Sequence, residues 1–128
     1  MKEFHGEYKG EALATVNSTN TAAAVGSGSL PVFATPMMLA LMEEATCEAA
    51  SAILDDGETT VGIKVEITHD KASAMGATVS ASAKLEAVDG RRLVFSVSAK
   101  DDNGNIIGKG IIERFVVNCD KFMKKVNG

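Results

Sequence analysis

The sequence has no apolar run near the ~20 residues of a membrane span, and its opening MKEFHGEYKGE is charged throughout instead of carrying the apolar stretch of an export leader. The expectation is a cytoplasmic chain with no membrane partner. Cysteine is scarce. Cys47 and Cys119 form no CxxC and no metal-ligand spacing, which removes a disulfide framework and a bound metal from the expectations and predicts reduced, mostly buried thiols. Net charge is -4 and no dense basic stripe is present, which argues against a nucleic-acid partner held through its phosphates. Lys121, Lys124 and Lys125 near the C-terminal end read as a solvated tail or as the charge complement of a helix end. Internal repeats and low-complexity segments are missing too. Gly26 and Gly28 form a GxG with nothing of the remaining dinucleotide fingerprint, so loop flexibility accounts for them.

What is present is a globular balance, 45% apolar and 23% charged, over a length that supports one core and would leave two marginal. One domain over residues 1–128 is expected. KGEALATVN reads as a first strand and GSGSLP, residues 26–31, as a loop. Helical periodicity occupies only one long stretch, about 36–54. After the DDG turn at 55–57, four runs alternate like strands, at about 59–70, 77–88, 91–101 and 105–118. Turn chemistry at DGR and DDNG suggests three successive hairpin-type connections and an antiparallel meander. The fold class is therefore α+β, with one helix packed on a curved antiparallel sheet. On the third strand, Ala77, Val79, Ala81, Ala83, Leu85 and Ala87 share one face, small enough for a helix to approach closely.

At 100° per residue, Met38, Leu41, Met42, Ala45, Ala49, Ala52 and Ile53 form the helix's core stripe. Glu44, Glu48, Ser51 and Asp55 face water. Glu43 does not join them: it projects onto a flank with Leu39, Thr46 and Ala50, either as an edge residue reaching water or as a carboxylate in a partly dry groove that could act as a base. Thr35 before Pro36 suits an N-cap. The same place sets a hydroxyl beside the positive end of the helix dipole, where a developing oxyanion could be received. In TTVGIKVEITHD, alternation puts Val61, Ile63, Val65, Ile67 and His69 on one face, with Gly62 on the other. His69 thus ends an aliphatic row. A lone histidine there is either a hydrogen-bonded rim residue or a proton carrier.

The segments FATPMMLALMEEA, TTVGIKVEITHDKAS, VDGRRLVFSVSAKDDNG and GKGIIERFVV, in order and without large gaps, resemble the hot-dog-fold thioesterases typified by fluoroacetyl-CoA thioesterase. The family's site pattern is a threonine just before the helix, a glutamate eight residues on and a histidine 26 residues after that; Thr35, Glu43 and His69 meet this spacing. The resemblance implies a hot-dog fold, a homodimer, hydrolysis of small acyl-CoA thioesters with those three residues catalytic, and Gly62 and Arg114 close to the bound thioester. Coenzyme A would arrive as part of the substrate, with no other cofactor. Proline follows Thr35 where the fluoroacetyl specialist has glycine, and Phe33 is the one aromatic on the approach, so the resemblance leaves the acyl group open. Two other activities fit the same fold, a non-catalytic acyl-CoA sensor and an enoyl-CoA hydratase.

Eight residues of helix rise about 12 Å, so Thr35 and Glu43 of one chain should not touch, and a site shared by two protomers is expected. Arg91, Arg92 and Arg114 stand as candidate partners for CoA phosphates.

Overall fold

A computed structural model describes residues 1–128. The elements are β1 (Lys9–Thr15), α1 (Ala22–Val25), α2 (Thr35–Ala50) with a 3₁₀ turn at Ser51–Ile53, β2 (Glu58–His69), β3 (Thr78–Asp89), β4 (Arg92–Lys100), β5 (Ile106–Asn118) and α3 (Cys119–Asn127). One five-stranded sheet runs in the order β1-β3-β4-β5-β2, every neighbouring pair antiparallel. The α+β class and the single long helix agree with the sequence reading. The meander is shorter than expected: only β3, β4 and β5 are joined by hairpins, because β2 pairs with β5 and its link to β3 crosses the sheet. Since β1 and β2 are opposite edges, the chain must cross one sheet face between them, and α2 makes that crossing.

The helix buries Met38, Leu41, Met42, Ala45, Thr46, Ala49 and Ala50. It meets Val79, Ala81, Ala83 and Leu85 of β3 and Leu93, Phe95, Val97 and Ala99 of β4 in one apolar cluster. Ala52, placed in the stripe by periodicity, is exposed, because the 3₁₀ turn changes the angular step after Ala50. On β3 the predicted face ends early. A bulge between Leu85 and Ala87 turns Ala87 outward and packs Val88 against the core. Cys47 is exposed on the Glu44 side of the helix and Cys119 is half-buried at the start of α3, so the buried-thiol expectation fails for Cys47. Lys124 and Lys125 lie in the last turn of α3, where they complement the helix dipole. No helix is long and apolar enough to cross a membrane.

Close packing of helix on sheet is severe at Gly10 of β1. A Cβ there would lie 2.2 Å from the Ala45 carbonyl oxygen and 2.6 Å from the Ala49 nitrogen, so β1 rests directly on the helix backbone. Gly10→Ala is expected to cost about 1–3 kcal/mol, because neither backbone atom can swing aside. In urea this should lower the midpoint of unfolding and leave the slope unchanged.

The β4–β5 turn is held by Asp101, whose Oδ1 accepts the backbone N–H groups of Asn103 at 3.0 Å and Asn105 at 2.9 Å. The Asn105 backbone N–H is the largest cause holding the Asp101 carboxyl below its ordinary 3.8; the Asn105 side chain, the Asn103 N–H and Lys71 add to it. A carboxylate depressed by folding stabilises the protein above its ordinary value, and that contribution disappears as pH falls through the folded value. The acid limb of stability below pH 3.8 should therefore be shallower in Asp101→Asn than in the parent, read as denaturation midpoint against pH.

Candidate active site

Two constellations form where α2 faces β2 and β5. At the head of the helix, Thr35 Oγ1 lies 2.7 Å from His69 Nδ1, joining the first residue of α2 to the last residue of β2. The expected cap does not form. Ala34 is the N-cap, with extended backbone and no side-chain hydrogen bond, and Pro36 sits inside the first turn. The Thr35 hydroxyl is engaged by the imidazole, so the helix start is closed by backbone alone: Ala34 O accepts from Met37 N and Met38 N. The other ring nitrogen, His69 Nε2, is shielded from water and has no partner within the chain. A cavity of about 250 Å³ opens on this pair, lined also by Val32, Phe33, Asp70 and Lys71.

The second constellation lies farther down the helix. Arg114 of β5, its side chain only 8% exposed, donates from Nη1 to Glu43 Oε2 at 3.0 Å, from Nε to Thr60 Oγ1 at 2.8 Å and from Nη2 to Thr60 O at 3.1 Å. Glu43 keeps 36% of its side chain accessible and Glu44 is fully on the exposed side, so the two adjacent glutamates differ as the helical angle required. Gly62 faces the same carboxylate. A Cβ there would come within 2.8 Å of Glu43 Oε2, so only glycine leaves the carboxylate where Arg114 holds it.

This placement of Gly62 overturns the simple alternation read from the sequence. Pairing runs Gly62 to Arg114 but Lys64 to Glu113, so one extra residue is inserted between them. Directly opposed residues share a face. Thr60 and Gly62 before the bulge therefore face α2 together with Val65, Ile67 and His69 after it, while Val61 joins Lys64 and Glu66 outside.

One chain thus brings Thr35 and His69 into contact and gathers Glu43, Gly62 and Arg114 separately. Glu43 meets neither of the other two expected catalytic residues, in line with the helical rise. The arginines suggested for phosphate are all committed: Arg91 to Glu58 at 3.2 Å, Arg92 to Glu113 at 2.8 Å, and Arg114 as described. Sequence reasoning missed Lys71 and Asp70, which line the cavity in the loop after β2 and carry no periodicity to mark them. A larger hollow of about 420 Å³ lies elsewhere, against Lys9, Glu11, Ser82, Lys84, Ser96 and Ser98. It contains no nucleophile and base in contact, so the smaller cavity is the candidate site.

A family profile described as fluoroacetyl-CoA-specific thioesterase matches residues 16–120. The chain belongs to that family. It is 43% identical over 95 residues to the fluoroacetyl-CoA thioesterase of Streptantibioticus cattleyicolor, spanning 74% of this chain and 68% of the relative. A solved structure of a fluoroacetyl-CoA thioesterase variant with fluoroacetate superposes with a TM-score of 0.86 at 32% identity, over 97% of both chains. A thioesterase superfamily member from Thermus thermophilus gives 0.91 at 26% identity over 99% and 93%. A hot-dog-like protein from Thermanaerovibrio acidaminovorans gives 0.82, also at 26%, over 92% and 87%. The fold is the hot-dog fold.

Arg114→Ala removes the donor to Glu43 and to the Thr60 carbonyl at once and should cost about 2–4 kcal/mol in urea denaturation. Glu43→Gln keeps an acceptor oxygen for the guanidinium, so about 1 kcal/mol is expected.

Proposed function

We propose that the chain is an acyl-CoA thioesterase in which Thr35 and His69 act as nucleophile and base and Glu43 completes the site from a second copy. The observation that carries this is the 2.7 Å contact between Thr35 Oγ1 and His69 Nδ1 at the mouth of a cavity. A hydroxyl is a weak nucleophile until a neighbouring base can take its proton, and a thioester carbonyl is electrophilic enough to need little more. Thr35 Oγ attacks the carbonyl carbon, His69 receives the hydroxyl proton, and the carbon–sulfur bond breaks. The thiolate of CoA leaves and is protonated from the imidazolium. Water, deprotonated by the same imidazole, then releases the acid and restores Thr35. The positive end of α2 supports the oxyanion in both steps. The reading uses no metal or redox cofactor; coenzyme A enters with the substrate.

The homodimer is part of this proposal. β2 is a 12-residue edge strand paired only with β5, and Ile63 and Val65 on it are 51% and 41% exposed. A long apolar edge invites another strand. A second copy paired there would bring its own helix flank, and with it Glu43, toward the Thr35–His69 pair. Gly62 and Arg114 hold that carboxylate in place and lie close to the acyl group. The substrate class supported is a small acyl-CoA, since the cavity holds only about 250 Å³ and Phe33 is part of its lining. We place the enzyme in the cytoplasm, where acyl-CoA is available.

Release of free thiol from short, branched and aromatic acyl-CoAs tests the reaction. His69→Ala should lower kcat by about 10²–10⁴ with the fold intact, and Thr35→Ser should retain far more activity than Thr35→Ala. Acyl-CoA binding with no thiol release would point to a sensor, and loss of an enoyl double bond with the thioester intact would point to a hydratase. Mixing Thr35→Ala with Glu43→Ala chains should restore activity through hybrid dimers carrying one intact site. No recovery in proven heterodimers would rule out the shared site.

A further inference from the structure

The cavity that exposes Thr35 and His69 is lined by one lysine and no arginine. We propose that this lysine, Lys71, receives the first phosphate of the substrate's CoA diphosphate and so selects phosphorylated thioesters; the inference rests on the thioesterase reading above.

Its backbone is fixed. Asp70 N and Lys71 N both donate to Ile107 O, at 2.7 and 3.2 Å, which pins the turn out of β2 to the start of β5. The side chain is half exposed, and its single ion pair is a loose one, Nζ to Asp101 Oδ2 at 3.5 Å. Asp101 does not need that contact, because Asn103 and Asn105 already satisfy it. Lys71 can therefore leave Asp101 for a stronger anion without loosening the β4–β5 turn. The adjacent carboxylate at the mouth, Asp70, accepts a hydrogen bond from Thr68 Oγ1 at 2.9 Å.

Reach agrees with this role. Two residues of extended chain and a lysine stem place Nζ up to about 12 Å from His69. A pantetheine arm extends on the order of 15 Å between its sulfur and the first phosphate, and bends to less. The three arginines that might have served are each held by a carboxylate, which leaves Lys71 as the cation lining the cavity, held only by the long contact to Asp101. An ammonium on a flexible stem meets phosphate as a point charge, which suits a mobile arm.

The test compares two thioesters of one acyl group, acyl-pantetheine and acyl-4'-phosphopantetheine, which differ by a single phosphate. The parent should favour the phosphorylated substrate in kcat/KM. Lys71→Ala should reduce that preference about 5–10-fold, mainly through KM, and Lys71→Arg should keep it. Asp101→Asn retains the turn-holding oxygen but removes the competing charge, so it should increase the preference. Added salt should weaken the preference of the parent more than that of Lys71→Ala. Lys125→Ala, on α3, controls for net charge and should leave the preference as in the parent. A preference indifferent to Lys71 and Asp101 in a parent that hydrolyses both substrates overturns this inference alone. A parent that hydrolyses neither substrate, nor any acyl-CoA, overturns the thioesterase reading and this inference together.

Discussion

One additional residue in β2 governs the rest of the site. Without the bulge between Gly62 and Lys64, strict alternation would send Gly62 and Thr60 to the outer face whenever His69 faces the helix. Arg114 would then lose both of its Thr60 acceptors, and the space beside Glu43 that the missing Cβ leaves would be on the wrong side of the sheet. The bulge lets one strand address the helix at two depths. Its early half supports the carboxylate, and its tip supplies the imidazole. It also bends the strand, which helps the sheet curl around α2.

The helix start shows a related compromise. Threonine at such a position usually serves the backbone, closing an exposed N–H in the first turn. Here its hydroxyl is given to His69 instead, and Ala34, which has nothing to offer from its side chain, occupies the capping place. Pro36 limits the damage, since it has no N–H to leave unpaired and its ring favours the helical φ. A capping interaction of the usual kind is worth about 1 kcal/mol, so the stability forgone in favour of the Thr35–His69 contact is small.

Much of this was legible in the sequence because it rests on local periodicity. The helix, the five strands and the difference between Glu43 and Glu44 follow from angles and alternation over short windows. The family resemblance then selected Thr35, Glu43, His69, Gly62 and Arg114 together, and the structure divides them into two groups along α2, Thr35 with His69 at the helix start and Glu43 with Gly62 and Arg114 farther down. What escaped was whatever depends on distant pairing. Alternation alone could not reveal that β2 lies beside β5, and the register shifts at Gly62/Lys64, Leu85/Ala87 and Ala99/Lys100 are defined only against a partner strand. Val61 and Ala87 were assigned to the wrong faces for that reason. Cys47 was misjudged from the average habit of its residue type, although the angle that exposed Glu44 also exposes it. Lys71 sits in an irregular loop, where no repeat of any length distinguishes it from its neighbours.

The pairing of β2 with β5 also bears on how the protein is made. Residues 58–69 find their partners at 108–118, across the whole of the β3–β4 hairpin, so the contact order of this strand pair is high. During synthesis, His69 emerges long before the strand that will hold it, and until β5 follows, β2 remains an apolar segment with no ladder on either side. The strand that carries His69 therefore completes its ladder only once β5 is available, and that closure spans the whole β3–β4 hairpin.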